Sequence, residues 1–334
     1  MIDNIPIALG LEGIAKTMKA MRHYVVDFTS PAIRIAGKYS LTRNILNMAY
    51  NCFSENFRHR FSVQYSKIYR TNKTCGQDGS WDSYFLGKKA KIPIRGDRMW
   101  LDWDVAICLL GHDLEVKQTY KNVISSLFTP DIFLDVGANY GTHSLLLALH
   151  GVDVVAFEPN KYCVEYGQAI MKANDCDIAW ENVAVGENFG EIALHYPEMD
   201  TWLGTVANKD ALRKSSSPIK TDIVRLVPLD SYVDTLKSKN IIIKIDAEGF
   251  ETEVIRGGSN LLKASTAIVL FESTEGSDRI ATFNALNNIG YKIYTLPWTP
   301  KKPVRSLDFN EFVSKNQSNF AAVPSYLVDS DSIK

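Results

Sequence analysis

IFLDVGANYG, residues 132–141, is an apolar run that meets an acidic residue and then a glycine turn. Ile132, Phe133, Leu134 and Val136 are apolar and β-prone, which predicts a core strand. Gly137 and Gly141 bracket a turn in which a Cβ would crowd a ligand or strain the backbone. Leu145 to Leu149 then continue as a helix. In an open α/β sheet, ligands bind beyond the carboxyl ends of the strands. The turn is therefore the expected seat of a nucleotide-like cofactor.

The same rhythm runs downstream. Val152–Phe157, Asp177–Val185, Ile241–Asp246, Ala267–Phe271, Tyr291–Leu296 and Phe320–Val323 read as further strands. Val164–Ala173, the stretch opening at Glu251, and Ile280–Asn288 read as helices between them. Alternation at this spacing predicts a Rossmann-like α/β fold, a mostly parallel seven-stranded sheet with helices on both faces. A polar segment between Gly190–Tyr196 and Ile223–Leu229 contains Arg213-Lys214 and Ser215-Ser216-Ser217-Pro218. It reads as an exposed loop, of a length that often forms lids.

Upstream the pattern is weaker. Leu11–Tyr24 and Tyr39–Phe57 show helical spacing, and Lys91–Arg95 with Met99–Trp103 reads as a strand hairpin turning at Gly96-Asp97. Glu115–Leu127 reads as a helix. The turn-rich Thr71–Ser80 marks a boundary. The expected organisation is a mainly helical extension over 1–75, a hairpin and helix over 76–127, and a catalytic domain over 128–334.

The formal net charge is −1, so composition names no polyanionic partner. Residues 1–70 hold ten Lys or Arg against four Asp or Glu, but the basic residues are scattered rather than blocked. No zinc-finger or aromatic RNA-binding signature accompanies them, so a nucleic-acid-binding module is disfavoured. The extension is expected to support dimerisation, dock a larger acceptor or close over the pocket, with Leu11–Tyr24 as a packed helix or an oligomer contact. The five cysteines form no C-x-x-C pair, which points to reduced thiols and a cytoplasmic setting. No signal-peptide pattern and no run of about twenty apolar residues is evident, so no transmembrane segment is expected.

Four of the strands are read as ending in a carboxylate: Asp135, Glu158, Asp246 and Glu272. Glu158 lies 23 residues beyond Asp135, at the end of the next strand. An acidic residue at about that spacing accepts the hydroxyls of a ribose. A dinucleotide site needs G-x-G-x-x-G, but here the third and sixth positions are Asn139 and Thr142. That failure disfavours a nicotinamide-dependent oxidoreductase, and no Walker A loop replaces it. An acidic residue before the turn suits a cofactor bearing an ammonium or a sulfonium. S-adenosylmethionine carries both, with a ribose diol.

IFLDVGANYG, FEPN (157–160), ENVAV (181–185), VPLDSYV (227–233), IKIDAEGFE (243–251), IRGG (255–258), LFE (270–272) and NFAAVP (319–324) together resemble the FkbM-type methyltransferases. The resemblance covers about 130–324. It implies a class I methyltransferase fold and methyl transfer from S-adenosylmethionine, mostly to oxygen on sugars or hydroxylated natural products. By the same resemblance, Asp135, Gly137, Ala138, Asn139 and Gly141 line the methionine side of the cofactor. Glu158 binds the ribose, Asn182 and Ala184 lie near the adenine, and Asp246 and Glu248 sit by the transferred methyl. Ala247 stands where the family usually has valine or isoleucine.

A sugar hydroxyl needs an acceptor for its proton, and Asp246, Glu248 and Glu272 are the candidates. Lys244 shares a strand face with Asp246 and is placed to orient it. His143, in the first turn after the glycines, is expected near the cofactor, and His195 is a further candidate base. The carboxylates are compatible with a divalent cation, but none is expected. Trp202 and Trp298 are candidate sugar-stacking surfaces. The leading acceptor is a sugar or glycan. A polyketide or other small hydroxylated metabolite is the alternative. DAEG after the fourth strand, where amide and nucleobase methyltransferases often carry Asp/Asn-Pro-Pro-Tyr/Phe, argues against N-methylation.

Overall fold

The computed structural model describes residues 24–70, 78–95, 99–198, 200–207, 212, 217–274, 277–300 and 305–328. The chain divides into two compact units, Met1–Tyr84 with Lys91–His112, and Phe85–Ala90 with Asp113–Lys334.

The first unit is built on helices. Residues 24–38 are helical (α1), followed by α2 (Ser40–Cys52) and α3 (Glu55–Tyr65). The single helix expected over Tyr39–Phe57 is broken because Phe53 is extended and Ser54 caps α3, accepting from Phe57 N. The helix expected over Leu11–Tyr24 lies outside the described residues except for Tyr24. β1 (Gly79–Phe85) and β2 (Lys88–Ile94) pair with each other, and α4 (Met99–Gly111) follows. This corrects the expected hairpin. Leu86 and Gly87 both adopt positive φ, 45° and 80°, and form the turn of this hairpin, while the expected turn residues Gly96-Asp97 lie outside the described residues. Met99–Trp103 opens α4 instead. Its apolar character resumes after Asp104 and runs from Val105 to Leu110, and a short apolar window does not distinguish a strand from a buried helix. Aromatic side chains fill this core. Trp103 meets Trp81 edge-on at 4.8 Å and donates to Tyr65 O at 2.8 Å, while Tyr50 Oη donates to Ile107 O at 2.7 Å.

The second unit contains α5 (Leu114–Ile124), β3 (Ile132–Val136), α6 (Thr142–Ala148), β4 (Asp153–Phe157), α7 (Lys161–Ala173), β5 (Ala179–Glu181), β6 (Ala184–Val185), β7 (Gly190–Pro197) and β8 (Ile219–Val227). It continues with α8 (Val233–Leu236), β9 (Asn240–Ile245), α9 (Glu251–Gly257), α10 (Ser259–Ala264), β10 (Thr266–Glu272), α11 (Arg279–Asn288), β11 (Tyr291–Thr295), α12 (Phe309–Ser314), β12 (Asn319–Pro324) and α13 (Ser325–Val328). Seven strands form the main sheet in the order β11-β12-β10-β9-β3-β4-β5. β12 runs antiparallel between β11 and β10, and the other pairs are parallel. The flanking helices bury the sheet, so β9 and β10 are almost entirely core: Ile241, Ile243, Val269 and Leu270 are at most 1% exposed.

The third strand expected over Asp177–Val185 is two strands in two sheets. β5 joins the main sheet, and β6 pairs with β8 in a three-stranded sheet completed by β7. Asn182 makes the break by donating to the carbonyls of Glu158 and Pro159 at 2.8 and 2.9 Å. The main-sheet register opposes Val136 to Phe157 and Ile245, and Phe271 to Ile245. One residue further on, Gly137, Glu158, Asp246 and Glu272 therefore stand at a common level along the carboxyl edge. Asp135 does not end its strand. It lies two residues deeper, opposite Lys244.

Candidate active site

The sheet fixes the glycine turn from below. Gly137 and Ala138 both donate to the Phe157 carbonyl at 3.0 Å. Gly137 has φ 75°, and a Cβ there would come 1.9 Å from Asp246 O. Only glycine lets the ends of β3 and β9 approach this closely. Asn139 is also left-handed, at φ 53°. Gly141 has φ 68° and sits against Trp180 and Met171. Asp135 is buried and turned toward α6, where its Oδ2 accepts from Ser144 N at 3.0 Å and Ser144 Oγ at 2.6 Å.

Glu158 closes the other side of the turn. Its Oε2 accepts from Asn139 N at 2.8 Å and its Oε1 from Asn160 N at 2.7 Å. Burial pushes the carboxyl up to about 7, against the pull of those two amides. The ordinary value is 4.5, so the folded state holds this proton more tightly than the unfolded chain. The resulting stability is fully present below about 4.5 and is lost as pH rises through about 7. Melting temperature should fall between about pH 5 and pH 8, and Glu158→Gln should flatten part of that fall. Calorimetric melts at the two pH values check this. An unchanged slope in the variant would show that Glu158 is not the titrating group.

Three carboxyl groups gather at the ends of β9 and β10. Lys244, 3% exposed, donates from Nζ to Asp246 Oδ2 at 2.7 Å. Burial alone would lower its ammonium, but Asp246, Asp113 and Asp135 hold it above its ordinary value. Glu248 stands at φ 50° in the turn after β9 and is pushed up to about 7 by burial, with Asp246 and Glu251 adding to the rise. Glu272 is pushed up to about 8 by burial and by the charges of Asp246 and Glu248, and it shares a hydrogen bond with Asp246. Glu251 pins the turn, its Oε1 accepting from Ala247 N and Gly249 N at 3.1 and 3.0 Å. Opposite Glu272, Asn319 donates to Glu115 Oε1 at 2.8 Å.

The family model described as "Methyltransferase FkbM domain" matches residues 135–293, which include both the glycine turn and the carboxyl cluster. The chain carries an FkbM methyltransferase domain. That domain is an S-adenosylmethionine-dependent methyltransferase. No curated protein matches the chain in sequence. Among solved structures, the chain is similar to the methyltransferase FkbM from Methylobacillus flagellatus KT, at 15% identity over 67% of this chain and 54% of that one, with a TM-score of 0.37. The chain thus spans about half the length of that relative. It is also similar to an S-adenosylmethionine-dependent methyltransferase from Agrobacterium tumefaciens (10% identity, 76% and 72% of the two chains, TM-score 0.38). A third likeness is to the magnesium protoporphyrin IX methyltransferase from Synechocystis PCC 6803 (12% identity, 69% and 86%, TM-score 0.37).

The residues of the FkbM domain fit S-adenosylmethionine. Asn139 Oδ1 is buried without a hydrogen-bond partner among the described residues, an acceptor waiting for a donor. Gly137 leaves open a cradle that a Cβ would fill. Each Glu158 oxygen keeps acceptor capacity beyond its backbone bond, enough for a ribose diol. Asn182 reaches this corner through its bonds to the Glu158 and Pro159 carbonyls, and Ala184 is buried in β6.

The two histidines are placed differently. His143 lies 3.1 Å from Tyr120 Oη and 3.3 Å from Asp113 Oδ2, at the start of α6. His195 has its ring on Thr221 Oγ1 at 2.8 Å, and its backbone bridges Thr205, whose hydroxyl donates to the Glu248 carbonyl. The candidate platform Trp298 is buried at 2% exposure and packs in the core. Trp202 is half-buried, in a segment that crosses the site. There Thr201 O accepts from Asn160 Nδ2 at 3.1 Å, Trp202 O from Asn139 Nδ2 at 3.4 Å, and Thr205 Oγ1 donates to Glu248 O at 3.2 Å. The polar stretch legible as a lid thus begins with contacts to both sides of the crevice. Among the described residues, no group of three or more His, Cys, Asp or Glu is arranged to hold a metal ion. Nor is any described helix long and apolar enough to cross a membrane.

Proposed function

We propose that the FkbM domain transfers a methyl group from S-adenosylmethionine to a hydroxyl of a sugar or glycoconjugate. One observation carries the reading: Glu248 and Glu272, with carboxyls pushed up to about 7 and about 8, flank Asp246 at the level of the glycine turn. S-adenosylmethionine supplies a methyl already activated by its sulfonium. The protein's part is to align an acceptor oxygen for in-line attack and to take its proton. Asp246, oriented by Lys244, accepts a hydrogen bond from the acceptor hydroxyl, and Glu248 or Glu272 receives the proton. Several carboxyl groups in one crevice suit a polyol, which offers more than one hydroxyl to bind. On this reading Asp135, Gly137, Ala138, Asn139, Gly141, His143 and Glu158 hold the donor.

The test is purified full chain with methyl-labelled S-adenosylmethionine and a panel of free sugars, nucleotide sugars, glycans and hydroxylated polyketides, with and without EDTA. Label should enter a sugar hydroxyl, unaffected by EDTA. Transfer confined to the polyketides would overturn the sugar assignment, and loss with EDTA would show a metal requirement.

Among the described residues Cys52, Cys108, Cys163 and Cys176 are in no disulfide, which supports a cytoplasmic setting. Leu41, Ile45 and Met48, exposed along α2 at intervals of four and three residues, support the extension as an oligomer contact. A light-scattering mass of a single chain would remove that part of the reading.

A further inference from the structure

Asp113 precedes α5 and belongs to none of the sequence motifs. It occupies the N-cap position, where an aspartate ordinarily accepts from the first amides of its helix. Here its side chain makes no such bond, and its backbone is left-handed at φ 44° and ψ 50°. The carboxylate turns instead to His143, with Oδ2 3.3 Å from Nε2. On the other side of the ring, Nδ1 is 3.1 Å from Tyr120 Oη. A neutral His143 satisfies both contacts by donating from Nε2 and accepting at Nδ1. Burial favours that neutral form by lowering the imidazole. A forgone cap and a left-handed non-glycine backbone persist where other contacts over-determine them, commonly at ligand sites.

The carboxylate held this way is ionised and open. Burial opposes its charge, but the bond to His143 and the nearby Lys117 and Lys244 keep it far below the usual carboxylate range. Its side chain is 31% exposed, and no described residue donates to Oδ1. The other carboxylates around the glycine turn already have partners or uses. Asp135 accepts from Ser144, Glu158 from two backbone amides while keeping capacity for the ribose, and Asp246 from Lys244 while facing the acceptor.

We propose that Asp113 receives the ammonium at the amino-acid end of the methyl donor, with His143 and Tyr120 as its positioning residues. The inference rests on the glycine turn being the donor seat, because Asp113 is fixed against the first turn of α6, two residues beyond Gly141. Asp135, whose buried carboxylate ties β3 to α6, then shapes the seat from beneath the turn, and Asp113 supplies the direct counter-charge for that end.

Titration calorimetry on the full chain with two ligands tests it. S-adenosylhomocysteine carries the ammonium, and 5′-methylthioadenosine keeps the adenosine and thioether without it. Asp113→Asn should weaken S-adenosylhomocysteine by about 10- to 100-fold, as expected for a lost charged hydrogen bond. It should weaken 5′-methylthioadenosine by less than about twofold, because that ligand never made the bond. Tyr120→Phe, which keeps the buried ring, should give a smaller loss with the same ligand preference and carries the test if Asp113→Asn does not fold. Equal losses for the two ligands, or none for either, would overturn the assignment. Wild-type protein that binds neither ligand would overturn the donor seat itself.

Discussion

Gly137→Ala is expected to abolish donor binding, while Gly151→Ala leaves it intact. The two glycines share nearly the same backbone, φ 75° and 76°, so an alanine meets the same left-handed strain at both. That strain costs about 1–2 kcal/mol. Their surroundings differ completely. Nothing lies within 4 Å of a Cβ on Gly151, whereas a Cβ on Gly137 falls 1.9 Å from the Asp246 carbonyl. Relieving that contact means parting the ends of β3 and β9, an overpacking penalty of about 1–3 kcal/mol beyond the strain. The total, about 2–5 kcal/mol, is survivable for a domain of ordinary stability. A folded Gly137→Ala protein should thus be obtainable, with the turn displaced from Asn139 and Glu158. Urea unfolding of both variants, with S-adenosylhomocysteine calorimetry, separates strain from displacement. Wild-type affinity in Gly137→Ala would show that the turn does not shape the donor seat.

The parts of this domain that were legible in the sequence are those set by local pattern. β3, its glycine turn and α6 follow from the one continuous stretch 132–149, and β4, β9, β10, β11 and β12 follow from their apolar runs, whereas the short β5 was not separable from β6. The placement of β12 between β10 and β11 depends on pairing across the chain, which no local period records. Met99–Trp103 was misread because five apolar-rich residues satisfy strand and helix templates alike. The turn at Leu86-Gly87 lacks the Asn or Asp that usually marks such hairpins. At the site, side-chain direction was the hidden variable. Asp135 and Glu158 look equivalent as acidic residues near strand ends. One lies inside β3 and faces a helix, and the other follows β4 and faces the turn. Asp113 carries no sequence signal beyond a common N-cap residue, because its role is set by His143, thirty residues away. Thr205 is similar: its bond to the Glu248 carbonyl spans 43 positions.

Glu248→Gln is expected to lower kcat by about 10²- to 10⁴-fold, the range for losing a positioned proton acceptor, with S-adenosylhomocysteine affinity little changed. Asp246 is the less effective acceptor because Lys244 already holds its Oδ2. Glu248 and Glu272 hold protons near neutrality, where a group is both substantially deprotonated and basic enough to act. The base must be unprotonated, so wild-type kcat should rise with pH through about 7 to 8. The limb belongs to the carboxyl pair rather than to either residue alone. Glu248→Gln also removes one of the negative charges that raise Glu272, so the residual activity should titrate at lower pH than the wild type. Loss of rate together with a shift of the limb identifies proton transfer within this pair. A variant that had merely disturbed the turn, where Glu248 sits left-handed at φ 50°, would lower the rate without that shift. A wild-type profile flat from about pH 6 to pH 9 would remove both glutamates as the proton acceptor.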